Sequence, residues 1–168
     1  GSILTNGSSD LMLVSSGGKA IRFSEEKVRA MGRTARGVRG IALEKNAEVI
    51  ALISLLGHET ILTVTQNGYG KRTRYEEFPV RGRGGKGVIT IQTNKRNGKV
   101  VGAVSVAEED EIMLMTDQGT LVRQAVSGIS IIGRNTQGIR LQRFRDDSEQ
   151  VVGLQPIAED LNGDDSDV

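Results

Sequence analysis

Arg81-Gly82-Arg83-Gly84-Gly85-Lys86-Gly87 places three cations and four glycines in seven residues, and the β-type run Val88-Ile89-Thr90-Ile91 follows at once. Glycine lets a backbone turn tightly and approach a neighbour closely. Arginine and lysine are the side chains that a phosphate backbone attracts. The pattern of Gly-Arg, three residues and a closing glycine occurs three times: Gly32-Arg33 to Gly37, Gly82-Arg83 to Gly87, and Gly133-Arg134 to Gly138. The closing glycines stand 50 and then 51 residues apart. The chain is therefore a repeat, and a basic glycine loop sits at one phase of it.

The repeat extends on both sides of the loop. Before it come an apolar run, a turn and a basic strand: Leu11–Val14, Gly17-Gly18 and Lys19–Arg22; Ile61–Val64, Asn67-Gly68 and Lys71–Arg74; Ile112–Met115, Gln118-Gly119 and Leu121–Arg123. After it come Val49–Leu52, Val100–Ala103 and Val151–Leu154. Each unit thus holds about four short strands, the spacing of propeller blades, and such units bury their faces by stacking. The predicted fold is all-β, with blades at 10–57, 58–109 and 110–160. Residues 1–9 read as the end of a preceding blade, with Gly1-Ser2 as cloning residues, and 161–168 as an acidic, disordered tail. Ser24 is expected to cap one helical turn over 25–28. Asn97-Gly98 carries a hairpin signal. In unit three a strand over 138–144 is expected to bury Ile139 and Leu141 and to expose Arg140 and Gln142.

Composition narrows the function. Hydrophobic residues make up 37% of the 168, but aromatics only 3%, with no Trp, so the core must be aliphatic. Without Cys there is no disulfide or thiolate metal site, which agrees with a cytoplasmic protein. No run is long and apolar enough for a membrane span. The net charge of +1 conceals an asymmetry, because residues 159–168 hold five acids and no base. The body without them has 22 bases against 16 acids. Such a tail can compete with an anionic partner for the basic surface.

No catalytic constellation emerges. Gly82-x-Gly84-x-x-Gly87 matches a dinucleotide fingerprint literally, but a β-type run follows where that site needs a helix. His58 is the single histidine and lies at a unit boundary, without a nucleophile elbow. The acids at 108–111 read as an inter-blade loop rather than a metal site. Tyr69 and Tyr75 lie beside basic residues, where contact with a sugar or base and plain hairpin packing are both open.

The basic loops carry more information than any one charge cluster. Three clusters at one phase of a stacked repeat fall on one side of the body and make a track for a long polyanion. With few aromatics to stack single strands and no base-reading helix, duplex backbone contact without sequence readout is expected, with bending. The candidate contacts are Arg33, Arg36, Arg39, Lys71, Arg72, Arg74, Arg81, Arg83, Lys86, Arg123, Arg134 and Arg140. Gly85 is expected to permit the close backbone approach. A propeller-like protein-interaction module is the rival reading.

Residues 81–87 resemble the box Gln-Arg-Arg-Gly-Gly-Lys-Gly of the bacterial DNA gyrase A subunit, matching at five of seven places. Residues 23–32, 65–73 and 133–138 are similar to the later blades of that subunit's C-terminal domain. The topoisomerase IV counterpart has more degenerate blades and is the alternative within the resemblance. The family's box lies in its first blade, whereas this one lies in a middle unit, with Arg81 for Gln and Gly82 for Arg. The resemblance implies a β-pinwheel, with strands exchanged between blades and about three of six blades present. It implies duplex DNA wrapped on a basic rim in support of ATP-dependent negative supercoiling. The protein partners are then the remainder of the gyrase A subunit, together with the gyrase B subunit. The catalytic tyrosine, ATP and Mg lie in other parts of that enzyme, so this chain is expected to hold no cofactor. Uncapped blade edges also suggest self-association.

Overall fold

The computed structural model describes residues 1–55, 57, 59–144, 146 and 148–157. His58 and the acidic stretch 159–168 lie outside the described residues. Eleven strands form among those described, and no α-helix. Three hairpins set the repeat. Strands β1 (Asp10–Ser15) and β2 (Lys19–Ser24) turn at Gly18, β4 (Thr60–Thr65) and β5 (Tyr69–Arg74) at Gly68, and β8 (Glu111–Thr116) and β9 (Leu121–Ala125) at Gly119. All three turn glycines have φ between 76° and 84°, which residues with a side chain rarely adopt. Strands β3 (Val49–Ser54), β7 (Val100–Val106) and β11 (Val151–Ile157) return antiparallel against β1, β4 and β8.

The fourth strand of a sheet comes from the next unit. Strand β6 (Val88–Ile89) pairs with β2, in register Lys19↔Ile89 and Ala20↔Val88. Strand β10 (Ile139–Arg140) pairs with β5, in register Gly70↔Ile139 and Tyr69↔Arg140. The sheets are therefore β3-β1-β2-β6, β10-β5-β4-β7 and β11-β8-β9. Among the described residues β9 has no partner beyond β8, and its burial alternates between exposed and intermediate.

Two apolar cores lie between sheets. One joins Met12, Val14 and Ile53 of the first unit to Ile61, Phe78, Ile91 and Val100 of the second. Another joins Leu62, Val64 and Val106 to Ile112, Leu114 and Val126. Because the middle sheet is covered on both faces, every residue of β4 is buried, Thr60 and Thr63 included. A fully buried aliphatic side chain contributes about 1.5–3 kcal/mol, which explains how a chain so poor in aromatics folds.

Ser24 caps a short 3₁₀ turn at Glu25–Lys27, accepting from the Glu26 amide, and two uncapped equivalents lie at Tyr75–Glu77 and Val126–Gly128. Two expectations need correction. Asn97-Gly98 bends the chain between β6 and β7, which pair with different sheets, so it joins no hairpin. The strand expected over 138–144 is only Ile139–Arg140, and Ile139 is 36% exposed. Its neighbour is the edge of β5 rather than a covering sheet.

Candidate nucleic-acid interface

The three glycine loops are stitched into one another. In the second loop the Gly84 amide donates to the Gly40 carbonyl (2.5 Å), and the Ala42 amide of the first donates to Gly85 (2.8 Å). Arg83 donates through Nε to the Lys27 carbonyl (2.8 Å) and through Nη1 to that of Arg39 (3.2 Å). The third loop grips the second unit likewise. Arg134 Nη1 donates to the Ile89 carbonyl (2.9 Å), and the Gln92 amide donates to Thr136 (2.8 Å). The buried Asn97 amide group bridges the carbonyls of Gln92 and Gln137 at 2.6 and 3.0 Å. The basic loops are thus consecutive along one hydrogen-bonded seam.

The closing glycines explain the seam. Gly37, Gly87 and Gly138 have φ of 79°, 72° and 74°. A methyl on Gly87 would strike the backbone of β2, 2.8 Å from the Ala20 carbonyl carbon. One on Gly138 would lie 2.8 Å from the Gly70 carbonyl oxygen of β5. These glycines allow a strand to dock on the preceding unit. Gly85, by contrast, has no positive φ, and an added methyl would meet only Ile21 Cδ1 at 3.6 Å. The left-handed backbone in this loop belongs to Gly84 and Gly87 instead.

The sequence-named cations divide into three groups, exposed, half-buried and buried. Arg33, Arg36, Arg39, Arg81 and Lys86 are exposed, on the first two loops. Arg74 is exposed beside Glu59 at 3.7 Å, Arg140 is exposed on β10, and Arg123 is exposed with both of its donating nitrogens on Glu111. Arg83 and Arg134 are half-buried, with guanidinium donors on backbone carbonyls. Lys71 and Arg72 do not belong among the DNA contacts, because both are buried structural clamps. Lys71 is 0% exposed and donates Nζ to the Gly133 and Arg134 carbonyls (both 2.6 Å) and to Thr136 Oγ1 (2.9 Å). Burial pulls its pKa down to about 8, against the upward pull of the Glu77 carboxylate, while Arg134 adds to the lowering. Arg72, 4% exposed, donates Nε to the Ile129 carbonyl (2.7 Å) and forms an ion pair with Glu108. The Glu108 carboxyl is held below the usual carboxylate range, first by the hydrogen bond that Arg72 Nη1 donates to it.

Sequence reasoning missed Arg96 and Arg143. Both are exposed and line a groove with Arg140 and Tyr69. The available signal is the basic stretch Lys95-Arg96 beside the Asn97-Gly98 turn. Tyr75 lies under Arg22, 4.9 Å from its ring centroid, so its role is packing at the first joint. Among the described residues no three metal-ligating side chains cluster, and no helix is long and apolar enough to cross a membrane.

A family profile described as "DNA gyrase C-terminal domain, beta-propeller" matches residues 9–55, 59–107 and 110–158. The chain is 56% identical over 164 residues to the DNA gyrase A subunit of Salmonella typhimurium, covering 98% of this chain and 19% of that protein. It is 50% identical over 165 residues to its Pseudomonas aeruginosa counterpart, covering 98% of this chain and 18% of that one. The chain therefore spans about a fifth of the length of these relatives. A solved DNA gyrase A C-terminal domain superposes with a TM-score of 0.84 at 27% identity, covering 92% of this chain and 52% of that one. The C-terminal domain of DNA topoisomerase IV superposes with 0.85 at 25% identity, covering 92% and 48%.

Proposed function

This chain belongs to the DNA gyrase C-terminal domain family, and we propose that it binds duplex DNA along the seam of glycine loops, without reading sequence, and bends the duplex around the stacked sheets. The carrying observation is the seam itself. Hydrogen bonds between successive loops hold the exposed Arg33, Arg36, Arg39, Arg81 and Lys86 on adjoining segments of a rigid body. Fixed cations along a rigid surface suit phosphates, and phosphate contacts position a duplex without identifying its bases. Within the longer gyrase A polypeptide this serves negative supercoiling in the cytoplasm. DNA cleavage, ATP and Mg are then handled elsewhere in that polypeptide or in its gyrase B partner. The named relatives at 50–56% identity favour this assignment over the topoisomerase IV counterpart.

The test is a salt titration. Arg36, Arg81 and Lys86 are exposed and are separate from the clamps, so changing all three to Ala leaves the fold intact. Each lost phosphate contact lowers the slope of log affinity against log salt by about 0.9, so the triple variant loses about 2.7. The loss is equal for two duplexes of unrelated sequence. An unchanged slope in the folded triple variant would refute the reading. Salt-insensitive capture of a protein by the wild type would favour an interaction module instead.

A further inference from the structure

At the exit of the third loop the surface holds a second basic feature. Tyr69 is 7% exposed and lies under two guanidiniums, that of Arg96 at 4.4 Å and that of Arg140 at 4.8 Å from its ring centroid. Each cation is attracted to the ring, but together they repel. Both are held by neutral partners. Arg140 donates Nη2 to the Tyr69 hydroxyl, and Arg96 donates Nη2 to the Gly138 carbonyl at 3.3 Å. Neither lies within 4.0 Å of a carboxylate among the described residues. A guanidinium has five N–H donors, so most of theirs meet no acceptor among the described residues.

The equivalent place in the preceding joint is a natural control. There Lys19 pairs with Ile89 as Tyr69 pairs with Arg140, and Glu44 neutralises the Lys19 ammonium. No such carboxylate caps the second joint among the described residues. Among the described residues two acids line the cavity with Tyr69, Arg96 and Arg140: Asp146 accepts from the Ser148 amide (2.8 Å), and the buried Glu149 accepts from the Thr116 hydroxyl (2.6 Å). On the other side of Tyr69 the groove carries Arg96, Arg140 and Arg143 and, among the described residues, no acid.

We propose that Arg96, Arg140 and the Tyr69 hydroxyl form a notch for one backbone phosphate of the duplex, a site that rests on the DNA-binding reading above. Arginine forks match phosphate oxygens in pairs. The Tyr69 oxygen accepts from Arg140 and keeps its own hydrogen to donate. The ring is buried beneath the guanidiniums and offers no open face to a stacked base, so the contact is to the backbone.

The chain has two tyrosines and no Trp, so Tyr75→Phe leaves Tyr69 as the sole emitter. Titrating that variant with a duplex of about 30 base pairs changes the Tyr69 emission saturably, and added salt reverses the change in parallel with release. An emission that stays constant while the duplex binds overturns the notch. In a second arm, Arg96→Gln with Arg140→Gln lowers the salt slope by about 0.9, the value for one shared phosphate. A fall of about 1.8 means two separate contacts, and no fall means none; either result overturns the single notch. Should the double variant fail to fold, the emission titration decides alone. A wild-type chain that binds no duplex removes the parent reading as well. Loss of slope in the Arg36, Arg81 and Lys86 variant with no loss in the glutamine variant removes the notch only.

Discussion

Replacing Gly87 by Ala, with Gly37→Ala as its control, measures what the strand exchange contributes. The two glycines occupy the same place in the repeat and share a left-handed backbone, with φ of 72° and 79°. Their surroundings differ. Nothing lies within 4 Å of a methyl built on Gly37, whereas one on Gly87 runs into the Ala20 carbonyl of β2. The left-handed penalty for a residue with a side chain is about 1–2 kcal/mol, and it applies to both variants. The gain of Ala over Gly in the unfolded chain, about 0.4–1 kcal/mol, also cancels between them. The difference is then the collision. Because β2 is backed by β1 on its other edge, its backbone cannot retreat, and β6 must lift away. That strains the Val88–Ile89 ladder, at roughly 1 kcal/mol per hydrogen bond, and crowds Val88 against the core at about 1–3 kcal/mol. Gly87→Ala is therefore expected to cost about 2–4 kcal/mol more than Gly37→Ala. Urea unfolding followed by far-UV circular dichroism reads this as a midpoint about 1 M lower for Gly87→Ala than for the control. Midpoints that agree within about 0.2 M would refute the view that the closing glycine is a docking position.

Deleting residues 161–168 removes Asp164, Asp165 and Asp167 from a basic chain, so duplex binding should tighten, more at low salt than at high; equal affinity at low salt counts against competition by the tail. For Lys71 the sign follows from burial. Its folded pKa of about 8 lies below its ordinary value of 10.5, so the unfolded chain binds more protons at this site between those limits. Stability should therefore rise with pH across that window in the wild type relative to Lys71→Met, and a flat difference between their urea-unfolding free energies would contradict the assignment.

The repeat and its strands were legible because they are local. Hairpin glycines at 18, 68 and 119 and apolar runs before and after each loop depend on few neighbours in sequence. The partner of each short strand was not legible in the same way. Val88–Ile89 follows its own loop directly but pairs with residues 19 and 20, nearly 70 positions earlier. Nothing in its own composition distinguishes pairing within the unit from pairing across it; the expectation of exchanged strands came from the family resemblance. The same separation hid the burial of Lys71, whose acceptors at 133–136 belong to the next unit.

The arginines at one repeat position show why charge alone misassigns a site. Arg22, Arg72 and Arg123 occupy equivalent places, opposite Met12, Leu62 and Met113. Arg22 donates Nη1 to the Tyr75 and Phe78 carbonyls at 3.1 and 3.3 Å, and Arg72 donates Nε to that of Ile129 at 2.7 Å. Each thereby satisfies backbone carbonyls at the 3₁₀ turn of the following unit, which burial would otherwise leave costly. Arg123 meets only Glu111 among the described residues, and it remains exposed. One repeated residue type thus supplies a joint in two places and a surface charge in the third. Whether the next unit offers a carbonyl to that arginine decides which it becomes. A cation in this repeat is a candidate for DNA contact only where the following unit leaves it exposed. That criterion removes Lys71 and Arg72 from the track, keeps Arg36, Arg81 and Lys86, and brings in Arg96.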